Sequence, residues 1–508
     1  MSELDNLHNE ETRDTSYDHV LRYTGVFGGV QGLKLLMSVL RNKLTSVLLG
    51  GAGLGLIGIY NAISEFIVSS CNFGIPLNAT RITGELFENG TKDRIEYFVT
   101  LVRTCVLWSA LLAAVLCTIF SPLLSYAFFD HDWRRFPEVM LIIPVTVCFL
   151  VAEGECAILK GLRQTKKVAV IETAVCILTL LLTVPFYYVW GLHGVWMGLL
   201  ASGLASVTCH FRYSLPLVSY KTLPFSKVTL REGLPIIRKG IPYVLAGIAN
   251  SGLRMFVPAM LLWTGTLKEV GYFNAGFAIT AGYAGVAFVA LEADYYPRLA
   301  SVCHSLKRMN ETINQQIDVC VLFLTPLLVA FVIFVPWVIR LLYTEEFMVI
   351  QGMAVCAVFY IFMRAVYLPV GYITLAKGES LVYFAMELAY DVFFAFAVYF
   401  LYKEWGLTGA GIALSLGSLY DVICSLLVYG KLYGCRIRRS TAFICLVQFV
   451  PLFAAVACSF SGSDLVRYTA GVAAFAVSLT FSVNRLSHHS DFLKRTLHRF
   501  RHSSGDCC

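Results

Sequence analysis

Apolar runs of about 20 residues return along the whole chain, and about 20 such residues carry a helix across a hydrocarbon core of about 30 Å. The pattern predicts about fourteen helices, near residues 25–49, 52–80, 98–122, 138–159, 168–190, 193–215, 238–264, 270–296, 315–339, 349–376, 381–402, 407–430, 441–460 and 464–485. They group into an N-terminal tail (1–22), a first lobe of six helices (23–215), a linker (216–237), a second lobe of six (238–430), two extra helices (441–485) and a basic tail (486–508). The predicted fold class is an all-α polytopic membrane protein, with two pseudo-symmetric six-helix lobes plus two C-terminal helices.

Polar positions inside these rods are not scattered. In the first helix Gln31, Lys34, Ser38, Arg41 and Thr45 follow steps of 3 and 4, which stacks them on one face. The seventh helix repeats the spacing in Tyr243, Gly247, Asn250 and Arg254, the second in Asn61, Glu65, Ser69 and Asn72, and the eleventh in Tyr383, Glu387 and Asp391. The tenth carries Arg364 amid Tyr360, Phe362 and Tyr367. A charge at mid-bilayer costs about 2.5–3.5 kcal/mol on insertion scales, so these groups should face a polar interior. Lys34, Arg41, Arg254 and Arg364 outnumber the acids expected near them, and surplus buried cation invites an anionic ligand. The plainer alternative is internal pairing, Arg41 with Glu65 for instance. Lys43, Arg103, Glu172, Asp318 and the Glu292/Asp294 pair lie near helix ends and are expected to snorkel to the interface.

The chain also repeats itself. Trp190-Gly191-Leu192-His193-Gly194 returns as Trp405-Gly406-Leu407-Thr408-Gly409, and Gly58-Ile59-Tyr60-Asn61-Ala62 as Gly271-Tyr272-Phe273-Asn274-Ala275. Lys160-Gly161 with Lys377-Gly378, and Glu172 with Glu387, fit nearly the same offset, so a half-chain of roughly 215 residues is duplicated. The offset also makes Arg254 the partner of Arg41, two guanidiniums expected to face one central cavity. Duplicated membrane halves point toward a transporter with its substrate site between them.

Composition closes off other classes. A mean hydropathy of +0.69 with 57% hydrophobic and 14% charged residues excludes a soluble protein. Counting Lys and Arg per loop gives 28 on the side of the N-terminus against 6 opposite, which predicts both termini in the cytoplasm and an even number of crossings. The net charge of +7 is this bias and not a nucleic-acid footprint. The first twenty residues lack the apolar core of a cleavable signal. The sixteen cysteines form no C-x-x-C pair and read as small apolar residues, Cys507 and Cys508 lack prenylation spacing, and His488, His489, His498 and His502 read as part of a basic tail; no metal, cofactor or catalytic group is expected. Gly53-x-Gly55-x-x-Gly58 matches a dinucleotide fingerprint but lacks a preceding strand and reads as a tight turn between two helices. Gly25-x-x-x-Gly29 and Gly28-x-x-x-Gly32 read as close helix packing. There is no G-x-x-x-x-G-K-[ST] segment, and the sequons at Asn78, Asn89 and Asn310 fall on the cytoplasmic side.

With these motifs assembled, the chain resembles the Wzx-type lipid-linked oligosaccharide flippases, or O-antigen translocases, of the multidrug/oligosaccharidyl-lipid/polysaccharide exporter superfamily. The resemblance is carried by Gly50-Gly51-Ala52-Gly53-Leu54-Gly55-Leu56, Pro297-Arg298-Leu299, Gly371-Tyr372-Ile373-Thr374-Leu375-Ala376-Lys377, Tyr383 to Glu387, and Trp405-Gly406-Leu407-Thr408-Gly409-Ala410. It implies two lobes forming a V that opens alternately to either side of a bacterial inner membrane. The implied substrate is an undecaprenyl-pyrophosphate-linked oligosaccharide, an O-antigen or capsular repeat unit, with membrane lipid and a polysaccharide polymerase or chain-length machinery as partners and no nucleic acid. On this reading Arg41, Arg254 and Arg364 grip the pyrophosphate with Lys34 as a further substrate-binding cation, Gln31, Ser38, Asn61, Asn72 and Asn250 meet sugar hydroxyls, Tyr60, Tyr243, Tyr367, Tyr383 and Tyr390 stack on sugar rings, and Glu65, Glu387 and Asp391 bind a coupling proton or sodium ion. The alternatives are a multidrug or cation antiporter, a lipid-linked peptidoglycan-precursor flippase of the same fold, and a polytopic polysaccharide polymerase.

Overall fold

The computed structural model describes residues 17–128, 136–224, 226, 229, 231–234, 241–461 and 463–489. The loop holding Arg134 and Arg135 and the end of the tail, with His498, His502, Cys507 and Cys508, lie outside the described residues, as do the side chains of Asn89, Tyr243, Glu292, Asp294, His488 and His489. The described residues hold no strand. In chain order the helices are α1 (Tyr17–Cys71), α2 (Ile75–Asn89), α3 (Lys92–Phe128), α4 (Phe136–Met140), α5 (Ile143–Gly161), α6 (Thr165–Trp190), α7 (Gly194–Ser214), α8 (Ile241–Thr264), α9 (Leu267–Phe277), α10 (Tyr283–Val302), α11 (Leu306–Leu342), α12 (Gln351–Cys356), α13 (Val358–Lys377), α14 (Ser380–Tyr433), α15 (Arg439–Ser459) and α16 (Asp464–His489). Among the described residues ten helical stretches are long and apolar enough to cross a membrane, several of them two passes joined at a glycine kink. The chain is a multi-pass, all-α membrane protein.

The chain divides into two compact units, Met1–Asn274 with Leu342–Glu346, and Ala275–Leu341 with Phe347–Cys508. In unit 1, α1 turns at Gly50, whose φ of 61° only glycine adopts readily. That is where the turn between the first two passes lies, so the Gly53-x-Gly55-x-x-Gly58 segment is helix rather than turn. Gly55 and Gly58 have another use: a Cβ on Gly55 would strike the Leu267 carbonyl, and one on Gly58 the Asn274 side chain, so these glycines let α1 and α9 approach closely. Gly32 differs from expectation, since a Cβ there would meet nothing within 4 Å. The second pass ends at Cys71 rather than near 80. Gly74 turns through φ 68°, Pro76 sits in the first turn of α2, and the chain leaves the direction of α1.

The duplicated W-G-L motif folds alike in both copies. Gly191 and Gly406 adopt φ/ψ of 55°/−132° and 56°/−139°. Three residues on, a Cβ on Gly194 would strike the Phe186 carbonyl and one on Gly409 the Leu401 carbonyl, eight residues back in each case. The other short match does not hold in detail, for Gly161 is helical and packs on Thr83, whereas Gly378 takes φ 74° as the cap of α13. Two kinds of glycine requirement therefore separate experimentally. Gly406→Ala meets open space and should cost only the strain of a positive φ paired with ψ −139°, outside the left-handed helical region, about 1–3 kcal/mol. Gly409→Ala keeps an ordinary helical φ but drives its Cβ into the Leu401 carbonyl, and should melt at a lower temperature than Gly406→Ala in a thermal unfolding assay; equal melting would contradict this.

Unit 2 is tied by buried polar contacts. Tyr295 Oη donates to the Pro369 carbonyl at 2.7 Å, and Ser415 Oγ to the Cys356 carbonyl at 2.7 Å. Asn310 and Asn314, a turn apart on α11, each bracket the strand-like connection after α14. Asn310 Nδ2 donates to the Gly434 carbonyl while its Oδ1 accepts from Arg436 N, and Asn314 does the same with the Arg436 carbonyl and Arg438 N, at 2.8–3.1 Å. Gln448 of α15 bonds Ser478 and Ser482 of α16, with all three buried, which fixes the register of the two extra helices.

Candidate functional site

Unit 1 contains a cavity of about 190 Å³. Helical periodicity explains its walls. Arg41 and Thr45 lie one turn apart on the first arm of α1, Leu54, Ile57 and Asn61 at steps of 3 and 4 on the second, Val175, Thr179, Thr183 and Tyr187 at steps of 4 on α6, and Leu199, Ser202 and Ser206 on α7. Thr183 and Tyr187 are 1% and 3% exposed. Ser202 Oγ satisfies itself on the Leu199 carbonyl at 2.7 Å. Thr183 Oγ1 makes no such bond and has the Tyr187 phenol as its polar neighbour. Arg41 faces this phenol electrostatically and has no carboxylate within ion-pair distance among the described residues.

The other cations are answered. Lys34 pairs with Glu172, which therefore does not snorkel, and Lys43 reaches the Tyr343 carbonyl of the Leu342–Glu346 segment. Glu65 pairs with Arg254 and not with Arg41: the Arg254 guanidinium meets its two oxygens at 2.9 and 3.2 Å. The expected symmetry of Arg41 and Arg254 thus ends at the backbone, since only one of them has an acid opposite. Asn61 stands on the cavity wall beside Arg41, whereas Asn72 Oδ1 accepts from Gly74 N at 3.1 Å and shapes the turn after α1. Gln31 and Asn250 are half-buried on α1 and α8.

In unit 2, Arg364 of α13 donates to Tyr360 Oη at 2.7 Å and lies 5.3 Å from the Phe288 ring centre. Its charge acts on Glu387 and Asp421 of α14, and Asp391 joins the same acidic group. Both Asp391 carboxylate oxygens are buried without a hydrogen-bond partner. Asp421 was absent from the sequence expectations although the rule that selects Asp391, an acid inside an apolar helix, selects it equally. Tyr390 stacks on Phe394 and Phe393 on Tyr420, so part of the aromatic surface is engaged within the unit.

Arg103 corrects a further expectation. It does not snorkel but is 2% exposed and forms a two-pronged pair with Glu155, Nε to Oε1 at 2.7 Å and Nη2 to Oε2 at 2.9 Å. Its remaining arm donates to the Val218 and Ser219 carbonyls at 3.0 Å, and Tyr220 covers the guanidinium at 5.2 Å. Burial, followed by the Glu155 charge, pushes the Tyr220 phenol above its ordinary range. The pair clamps the start of the linker onto α3 and α5; the adjoining space is about 10 Å³, at the limit for one water.

The family model of the polysaccharide biosynthesis proteins matches residues 46–351, more than half of the chain. The chain belongs to this family. No curated protein matches it. Among solved structures this family member is similar to the lipid II flippase MurJ in an inward closed conformation, with a TM-score of 0.68, 12% identity, and coverage of 92% of this chain and 99% of that one. An inward-facing multidrug resistance MATE family transporter of the MOP superfamily gives 0.63 at 17% identity, covering 81% and 95%. An outward-facing one gives 0.55 at 15%, covering 83% and 96%. At these identities the likeness establishes the fold, and nearly the whole of each relative is covered.

Proposed function

We propose that the protein is a flippase that carries a polyprenyl-pyrophosphate-linked oligosaccharide from the cytoplasmic to the outer leaflet of a bacterial inner membrane by alternating access. The observation that carries the reading is the unit 1 cavity, where an unanswered Arg41 stands among hydroxyl and amide side chains within membrane-crossing helices. A guanidinium offers a fork of donors to an anion, and the hydroxyls and amide suit sugar hydroxyls. The family, which serves polysaccharide biosynthesis, and the fold shared with a lipid II flippase support the same direction. Multidrug export of organic cations fits less well, because a cation entering this cavity would meet Arg41.

Export of an anionic group from a negative interior releases about 2.3 kcal/mol per charge per 100 mV, so the membrane potential favours the loaded step. Return of the empty carrier is assigned to the unit 2 acids. Asp391, with Glu387 and Asp421 near it, is the candidate for a proton or sodium ion; Glu65, already paired with Arg254, is the weaker one. Vesicles containing the purified protein should flip a lipid-linked oligosaccharide and leave a fluorescent organic cation untransported. Export of the cation without flipping would move the protein to the antiporter class.

A further inference from the structure

We infer that the unit 1 cavity is a subsite for one carboxylated sugar residue of the cargo, a monosaccharide of the hexuronate class. The inference rests on the flippase reading and narrows its substrate. Size comes first. About 190 Å³ falls below the roughly 300–1,000 Å³ of pockets that enclose drug-sized ligands. The enclosed part suits a single sugar ring, with the rest of an oligosaccharide outside it.

Charge decides what kind of ring. The cavity wall holds a single cation, Arg41, since Lys34 is paired with Glu172 and Arg254 with Glu65. A pyrophosphate bridge brings more negative charge than one guanidinium answers, whereas a carboxylate matches it one to one and in the two-pronged geometry that arginine favours. A neutral sugar would leave the cation without a counter-charge. The remaining wall is neutral and hydroxylated. Thr183 Oγ1 is 1% exposed and set on the cavity wall, with the Tyr187 phenol as its polar neighbour and no backbone carbonyl of its own. A hydroxyl can donate one bond and accept others, so a sugar hydroxyl entering the cavity would add a partner to the Thr183–Tyr187 pair.

The test is a thermal-shift titration of the purified full-length protein with methyl glucuronide, methyl glucoside and inorganic pyrophosphate. Methyl glucuronide should raise the melting temperature saturably, with methyl glucoside at least tenfold weaker and pyrophosphate weaker still. Arg41→Gln should abolish the glucuronide shift. Thr183→Val, which keeps the shape and deletes the hydroxyl, should bind glucuronide several-fold more weakly, and the loss should be absent for inorganic pyrophosphate, a ligand-dependent difference that a merely structural threonine would not give. Stabilisation by pyrophosphate through Arg41, with none by glucuronide, would overturn the acidic-sugar assignment while leaving the flippase reading intact. No shift with any probe, or an unchanged glucuronide affinity in Arg41→Gln, would overturn the subsite itself. Flipping of a lipid-linked cargo bearing only neutral sugars, measured separately in vesicles, reads the flippase proposal independently.

Discussion

Arg103→Ala is expected to destabilise the first unit by about 3–5 kcal/mol, because it leaves the Glu155 carboxylate buried without its counter-charge. Glu155 is 3% exposed, so the carboxylate left behind stays largely out of bulk water. The Val218 and Ser219 carbonyls lose their donors in the same substitution, and with them the hold of α3 on the start of the linker. In a detergent-solubilised thermal melt the loss should appear as a drop on the order of 10 °C, at about 2–4 °C per kcal/mol for a unit of this size. Replacing both partners, Arg103→Met with Glu155→Leu, should recover much of the drop, since matched apolar replacement of a buried ion pair is often tolerated. A change below about 2 °C in Arg103→Ala would show that the pair carries little of the stability of unit 1.

Arg41→Ala is expected to reduce flipping of the lipid-linked oligosaccharide roughly ten- to a hundredfold, corresponding to the loss of a hydrogen bond to a charged group worth about 1.5–3 kcal/mol. The fold should survive, because Arg41 is exposed to the cavity and holds no partner whose burial depends on it. Arg254→Ala supplies the contrast. Its guanidinium already meets Glu65 and both side chains are about half exposed, so the substitution should cost no more than about 1 kcal/mol in stability. Its effect on flipping should be the smaller of the two. Equal loss in both variants at matched protein levels would restore the symmetric two-arginine site that the repeat suggests.

Much of the architecture was legible in the chain because a membrane imposes it. Apolar runs, the 3 and 4 spacing of polar positions and the offset of the W-G-L motif all follow from helix geometry and bilayer thickness, and the matching conformations of Gly191 and Gly406 show the duplication reaching the backbone. Partner choice was not legible. Arg41 and Arg254 occupy equivalent positions in the sequence, but which of them has Glu65 opposite is set by the packing of α8 against α1, a tertiary fact. Arg103 and Glu155 are 52 residues apart, and nothing local marks them as a pair. The cavity hydroxyls were overlooked for a different reason. Serine and threonine sit cheaply in membrane helices by bonding a carbonyl one turn back, so Thr179, Thr183 and Ser206 carry little signal until a cavity gathers them.

The central claim concerns cargo, and the most direct measurement is the initial rate at which a fluorescent polyprenyl-pyrophosphate oligosaccharide becomes accessible on the far leaflet of vesicles containing the purified protein. The account requires a rate well above that of protein-free vesicles, and for a cargo bearing an acidic sugar a rate lowered about ten- to a hundredfold in Arg41→Ala. A wild-type rate equal to that of protein-free vesicles, from protein shown to be folded and inserted, would contradict it.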